Sequence, residues 1–317
     1  MPSKAQEGRF DEIRPCIYCC QGCAQNILEK DAPLACSTNP TAGREIEGPL
    51  TPAGKKKKVL ILGAGPAGSQ AAVTAASRGH QVHVVESRNE VGGQLTLACR
   101  PPGKSEISRL LNYLEASLKT AGIQIEVGAK ISEAWLDEFS PDVAILATGS
   151  DPSIPDIEGL SKKTVLTGRD VLRGVAIKGD RVVIIGGGQV GCEVGEYLSG
   201  QGVDVTIVEI LDDIAGGMPH ISKLPLEMAL EKNGVRIMTK TKVLSVTEEG
   251  VVVECKGTRE IIPADVIVTA TGGRPHEEAF DRVIREKIRE VYVIGDRSAA
   301  RGILEAVREG YDVAKRI

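Results

Sequence analysis

Cys16, Cys19, Cys23 and Cys36 stand at a spacing, Cys-x2-Cys-x3-Cys-x12-Cys, that gathers thiolates around a metal. Three clustered cysteines with one distant partner recur in iron–sulfur sites, and soft, charged thiolate suits iron there. Structural zinc is the competing use, although it more often takes two separated CxxC-type pairs. Cys20 adds a second register, Cys16-x3-Cys20-x2-Cys23, so the second ligand of the set is Cys19 or Cys20. Cys99, Cys192 and Cys255 are isolated in sequence and read as buried structural thiols. Disulfide exchange needs two neighbouring cysteines, and no such pair lies outside the N-terminal group.

A second chemistry is written in glycine. Gly63-Ala64-Gly65-Pro66-Ala67-Gly68 recurs 123 residues later as Gly186-Gly187-Gly188-Gln189-Val190-Gly191. In each GxGxxG turn the first glycine permits the tight bend. The second lets a pyrophosphate approach the backbone, and the third lets the following helix pack against the strand. The helix N-terminus offers free N–H groups and partial positive charge to phosphate. Glu86 and Glu209 keep the same offset, as do Ala147-Thr148-Gly149 and Ala270-Thr271-Gly272. A carboxylate there suits the hydroxyls of a ribose. Three landmarks at one offset argue for two copies of one dinucleotide-binding domain.

The elements that must position these residues are equally regular. Lys58–Leu62 and Arg181–Ile185 are continuous apolar runs, the pattern of central strands buried on both faces of a parallel sheet. Each leads through its turn into a helix ending near Gly79 or Gly200–Gly202, then into strands Gln81–Glu86 and Asp204–Glu209. The copies differ downstream of these strands. Glu209 has no neighbouring Arg or Lys in sequence, and Asp212 and Asp213 come next, so the second site reads as one for NADH, with NADPH disfavoured. The first copy continues into Gly92-Gly93-Gln94. A late strand, Val291–Asp296, with a helix starting near Arg301–Leu304, supplies a carboxylate beside a helix N-terminus. That suits the ribityl chain and pyrimidine carbonyl of a flavin, although Asp296 as a helix cap is the plainer reading.

The 317 residues suffice for two or three domains. Glycine is abundant at 36 residues, which fits a chain rich in tight turns and close backbone–ligand approach. A net charge of −4 gives no nucleic-acid footprint, and Lys55–Lys58 reads as a solvated linker edge. No apolar run approaches a membrane span and no signal peptide opens the chain, so the expected location is cytoplasmic.

Taken together the residues resemble the flavoprotein pyridine-nucleotide reductases, with an FAD motif, an inserted NAD motif and a terminal Gly-Asp flavin motif. The cysteine segment is more specific. Arg14-Pro15-Cys16-Ile17-x-Cys19-x-Gln21-Gly22-Cys23, then Cys36-x-x-Asn39-Pro40-x-Ala42-Gly43-Arg44-Glu45, resembles the iron–sulfur enzymes related to 2,4-dienoyl-CoA reductase, 2-enoate reductase and trimethylamine dehydrogenase. The resemblance runs from about Lys4 to Ile317 and implies an α/β fold. Two Rossmann-like domains of glutathione-reductase type follow a small cluster segment. Residues 1–50 would bind a [4Fe–4S] cluster through Cys16, Cys19, Cys23 and Cys36. Residues 51–155 and 276–317 would form a discontinuous FAD domain, and residues 156–275 the NAD(P) domain.

The resemblance assigns FAD to Gly63, Gly65, Ala67, Gly68, Glu86, Gly93, Gln94, Thr148, Gly149, Gly295, Asp296 and Ile303. It assigns NAD to Gly186, Gly188, Gln189, Val190, Gly191, Glu209, Gly272 and Arg274, with Glu193 either near flavin and nicotinamide or simply on a helix flank. No side-chain acid or base is required for hydride transfer, because the cofactors carry the chemistry. The family also implies an FMN-binding TIM barrel holding the substrate site. A barrel takes about 250 residues, and only 15 precede Cys16. The barrel is therefore expected as a partner subunit or as a missing N-terminal domain. A non-catalytic alternative is a relay subunit whose first site holds ADP, as in trimethylamine dehydrogenase.

Overall fold

The computed structural model describes residues 2–317. The chain divides into two compact units. The first comprises residues 1–99, 106–151 and 274–317; the second comprises residues 100–105 and 152–273. The sequence alone places the crossings at 155/156 and 275/276 and does not separate residues 100–105.

In the first unit, strand β1 (Lys58–Leu62) runs through the first glycine turn into helix α1 (Pro66–Ser77) and strand β2 (Gln81–Glu86). The short helix α2 (Leu95–Ala98) and helix α3 (Ile107–Thr120) lead to β3 (Gln124–Val127), α4 (Glu133–Phe139) and β4 (Val143–Leu146). Strands β1, β2, β3 and β4 pair in parallel, with β1 between β2 and β4.

The second unit opens on β5 (Thr164–Thr167), whose exit is fixed by a capping box between Thr167 and Asp170. Then come β6 (Arg181–Ile185), α5 (Gln189–Ser199), β7 (Asp204–Val208), α6 (His220–Lys232) and β8 (Arg236–Met238). Strands β9 (Thr241–Val246), β10 (Gly250–Cys255) and β11 (Thr258–Pro263) form an antiparallel meander. Strand β12 (Val266–Thr269) returns to the parallel sheet, whose order is β5-β12-β6-β7-β8. The chain re-enters the first unit through α7 (Phe280–Lys287), β13 (Glu290–Val293) and α8 (Ile303–Arg316), completing the first sheet as β13-β4-β1-β2-β3.

Period-two alternation explains the cores. Val59, Ile61, Val84, Val143 and Ile145 face the alanines of α1 and α8, whereas Leu60, Leu62, Val85, Ala144 and Leu146 face Leu136, Ile284 and Ile288. In the second unit Val183, Ile185, Val208 and Ile267 pack under the meander through Val246, Val251, Val253 and Ile262. Helix α8 crosses α1 closely at Gly310, where a Cβ would fall on the carbonyl of Ala67 and 3.1 Å from the Ala71 nitrogen. The cysteine segment is tied to α8 by Arg44, which bonds Asp312 at 2.6 Å and Glu47 at 2.6 Å.

Two sequence expectations change here. Cys192 is buried, but Cys99 and Cys255 are only half-buried. Cys99 caps the end of α2, and Cys255 ends β10 beside the Lys256-Gly257 turn, so neither lies inside the sheet cores. Nor is Lys55–Lys58 wholly solvated. Lys57 pairs with Glu290 at 2.7 Å, and the Lys58 ammonium donates to the Phe139 carbonyl at 3.0 Å, because β1 starts inside the run.

Candidate functional site

The cysteine segment is folded by three tethers that close the twelve-residue gap before Cys36. The Thr38 hydroxyl donates to the Pro15 carbonyl at 2.8 Å, the Cys19 thiol donates to the Ser37 hydroxyl at 3.1 Å, and the Ala35 amide donates to the Gly22 carbonyl at 2.6 Å. Each joins a residue at or beside one of the first three cysteines to a residue within two of Cys36. Gly22 is required for this approach, since a Cβ there would lie 2.6 Å from the Ala35 carbonyl. Tyr18 and Cys20 adopt left-handed backbone, which turns the chain sharply between the thiols.

The thiols differ electrostatically. Burial works against charge at Cys36, yet hydrogen bonds from Thr38 and Asn39 and the Arg14 cation outweigh it and lower its pKa. Burial and the neighbouring Cys23, Cys19 and Cys16 raise that of Cys20. In their present rotamers Cys19 and Cys36 bond to Ser37 and Thr38. Among the described residues no three His, Cys, Asp or Glu side chains stand in finished metal-ligating geometry. The donor set nonetheless suits iron, because it is all thiol and the three tethers bring the Cys36 segment back to the stretch that carries Cys16, Cys19 and Cys23.

The first glycine turn meets its distant partners within the first unit. Gly63 has φ +101°, and a Cβ on Gly68 would fall on the Gly63 carbonyl oxygen, so α1 sits directly on the turn. Gly65 precedes α1, and the only atom near its missing Cβ is Gly93 Cα at 3.9 Å. That open backbone is a cradle a side chain would fill. Ala67 is buried against Gly295, whose own Cβ would lie 2.8 Å from the Ala67 methyl. The buried Glu86 carboxylate accepts from the Ala64 amide at 2.8 Å and the Arg88 amide at 2.9 Å. A carboxylate has about four acceptor positions, so capacity for ribose hydroxyls is left.

Gln94 donates to Asp296 at 2.8 Å, and Ser150 donates to the same oxygen at 3.1 Å. Asp296 Oδ1 accepts the Arg301 amide at 3.0 Å. The strand expected to run to Asp296 stops at Val293, and Asp296 lies in a single 3-10 turn, Gly295–Arg297, with Ile303 beginning α8 close behind. Thr148 and Gly149 are half-buried and bonded through Thr148 Oγ1 and the Gly149 carbonyl to His276.

The second turn repeats the first. Gly186 has φ +106°, and a Cβ on Gly191 would fall on the Gly186 carbonyl. Gly188 faces open space at the N-terminus of α5. The buried Glu209 carboxylate accepts from Gly187 at 2.6 Å and Leu211 at 2.8 Å. Val190 is exposed and Gly272 has φ +92° with no atom crowding it, whereas Arg274 is exposed and groups with the first unit. Beyond Glu209 the fold adds cations that its sequence neighbours lack. Lys223 on α6 pairs with Asp213, and Lys240 bonds through its backbone to Leu211, because α6 and β8 bring distant lysines to this edge.

Two residues that the sequence reading does not single out, Lys104 and Arg297, stand beside ones that it does. Glu193 is buried on α5 and its Oε1 accepts from Gln189 at 2.8 Å. Lys104, from the excursion Arg100–Ser105, reaches the same oxygen at 3.1 Å. Burial and Glu193 together raise the pKa of Glu196 one turn on, which Lys104 partly offsets. In the first unit Arg297 is buried beside Asp296 and paired with Asp281. Only the Pro-Pro-Gly-Lys break at Pro101–Lys104 hints that this stretch leaves its domain.

The model for pyridine nucleotide-disulphide oxidoreductases matches residues 57–310. An NADH oxidase of Thermoanaerobacter brockii is 41% identical over 322 residues, covering 100% of this chain and 50% of that protein. A cinnamate reductase of Clostridium sporogenes is 37% identical over 320 residues, covering 100% of this chain and 48% of that protein. The solved structure of a 2-naphthoyl-CoA reductase superposes with a TM-score of 0.94 at 33% identity, over 100% of this chain and 48% of its own. The chain thus spans about half the length of the relatives it matches. Two parallel sheets with matched glycine turns and strand-end glutamates, joined to a family match over this span, identify the chain as a flavin-dependent oxidoreductase of the pyridine nucleotide-disulphide oxidoreductase family, binding FAD and NAD(P)H.

Proposed function

We propose that this chain is an electron-input module that takes hydride from NADH onto FAD and passes electrons singly through a [4Fe–4S] cluster to an FMN-containing barrel partner. One observation carries the reading. Ile17 and Cys19 of the cysteine segment share a single apolar cluster with Leu95, which follows Gln94, and with Ile303 at the start of α8. The proposed outlet and the flavin-side residues are therefore packed together rather than joined by a loose tail.

When bound, FAD supplies the conversion of a two-electron hydride into one-electron steps that an iron–sulfur cluster accepts. The chain's residues bind and orient. The N-terminus of α1 with Gly63, Gly65 and Gly68 would hold the FAD pyrophosphate, Glu86 its ribose, and Asp296 with Gln94 the ribityl and pyrimidine side. Gly186, Gly188, Gly191 and Glu209 would hold NADH, with Glu193 and Lys104 near its reactive end. Cys16, Cys19, Cys23 and Cys36 would hold the cluster. Tyr18, Ile27, Leu28 and Leu34 of the same segment are exposed and suit burial against the barrel. The Lys223–Asp213 pair removes part of the charge argument against NADPH, so the preference for NADH rests on Glu209.

Anaerobic purification with iron, acid-labile sulfide and flavin assays, and identification of co-purifying chains, tests the proposal. FAD, iron and an FMN protein are expected together. Colourless protein inert to NADH would favour the ADP-holding relay subunit instead.

A further inference from the structure

We infer that Ser37 is a positioning residue for the proposed cluster, its hydroxyl donating a hydrogen bond to the Cys19 sulfur and so setting the cluster's reduction potential. This rests on the cluster reading above. Ser37 is 1% exposed, so its hydroxyl has no recourse to water. The Cys19 thiol lies 3.1 Å away and donates to it, while the hydroxyl hydrogen points to Gln21 Oε1 at 3.5 Å. Gln21 Oε1 in turn lies 3.9 Å from where a Cβ on Gly302 would sit, at the N-terminus of α8.

The direction of this chain of hydrogen bonds reverses when the sulfur becomes a ligand. A cluster-bound cysteine has lost its proton and can only accept. The Ser37 hydroxyl must then turn its hydrogen to sulfur, because a buried donor is costly to leave unpaired. Gln21 can follow by presenting its amide nitrogen to the Ser37 oxygen. One buried hydroxyl thus becomes a donor to cluster sulfur, and the glutamine beside it stands against the start of α8, where the flavin-side residues gather. Cluster reduction adds negative charge that reaches the ligand sulfurs, so a donor there stabilises the reduced form and raises the potential. The same contact selects Cys19 over Cys20 as ligand, since it is the Cys19 sulfur that the Cys36 loop meets with a hydroxyl.

The test is an electron-paramagnetic-resonance-monitored redox titration of the full chain, with iron and sulfide content measured in parallel. Ser37→Ala is expected to keep its iron and to shift the midpoint downward. The shift should change the flavin–cluster electron distribution about tenfold, or roughly 59 mV for one electron. Ser37→Thr and Ser37→Val have equal bulk and differ in the hydroxyl alone, so Thr should hold the wild-type potential and Val should lose it. Cys20→Ser should retain iron and Cys19→Ser should not. Ala or Val variants with full iron and an unchanged midpoint would overturn the role of Ser37. Wild-type protein without iron or sulfide would instead overturn the cluster reading on which it rests.

Discussion

The two parallel sheets share four strands in the same order and differ in the fifth. In both, the strand before Ala-Thr-Gly lies beside the glycine-turn strand, which lies beside the glutamate strand, then a short outer strand. The fifth strand comes after the other four in sequence in the first sheet and before them in the second. The first sheet recruits β13 from the C-terminal stretch, which brings Gly295–Asp296 and α8 with it. The second uses β5, which precedes its other strands and leads only into a capped helical turn. An identical nucleotide cradle therefore gains different chemistry from what is added at its edge. In the first unit a carboxylate faces Gln94 and Ser150; in the second, Lys104 and Gln189 meet on Glu193.

The largest way to break this contrast is at α8, which only the first copy recruits. Gly310→Leu forces bulk onto the Ala67 carbonyl. Overpacking of this kind costs about 3 kcal/mol or more, and thermal melting should show a fall of roughly 6–12 °C with loss of flavin absorbance. Next come the paired third glycines. Gly68→Ala and Gly191→Ala meet the same backbone oxygen in their own copies, each at a cost of roughly 1–3 kcal/mol. Gly68→Ala should purify without flavin. Gly191→Ala should keep flavin and lose bleaching by NADH, and equal losses in both variants would end the division of labour.

Lys104→Ala is milder. Its side chain keeps 26% exposure, so removing it should cost about 1–2 kcal/mol, or roughly tenfold in KM for NADH, with the flavin spectrum unchanged. The smallest effect is at His276, whose pKa is raised by a hydrogen bond to Asp151, with burial opposing and Glu278 adding to the rise. A raised folded value means the pair stabilises fully below the unfolded pKa of about 6.5 and is lost as pH rises through the folded one. His276→Asn should therefore lower stability by less than about 1 kcal/mol below pH ~6. The difference should vanish in alkaline buffer, as melting curves across pH would show.

Much of the shared architecture is legible in the sequence because its causes are local. Gly63 and Gly186 need positive φ, the apolar runs need burial on both faces, and Glu86 and Glu209 bond to amides of their own turns. The features that distinguish the copies come from long-range pairing and leave little trace in sequence. Lys104 groups with the second unit although the chain on both sides of its six-residue excursion belongs to the first. Lys223 meets Asp213 only because α6 folds back along the sheet. Ser37 reads as an ordinary serine until the Cys36 loop closes on Cys19. The exposure of Cys99 and Cys255 likewise follows from their places at element ends.

The most direct test of the account is anaerobic titration of the intact protein with NADH, followed by visible absorbance and electron paramagnetic resonance together. The account predicts yellow-brown protein whose flavin absorbance bleaches on NADH addition while a reduced iron–sulfur signal grows in step. Flavin that bleaches with no such signal, in protein shown to contain iron and sulfide, would contradict the proposed path from the nucleotide units to Cys16, Cys19, Cys23 and Cys36.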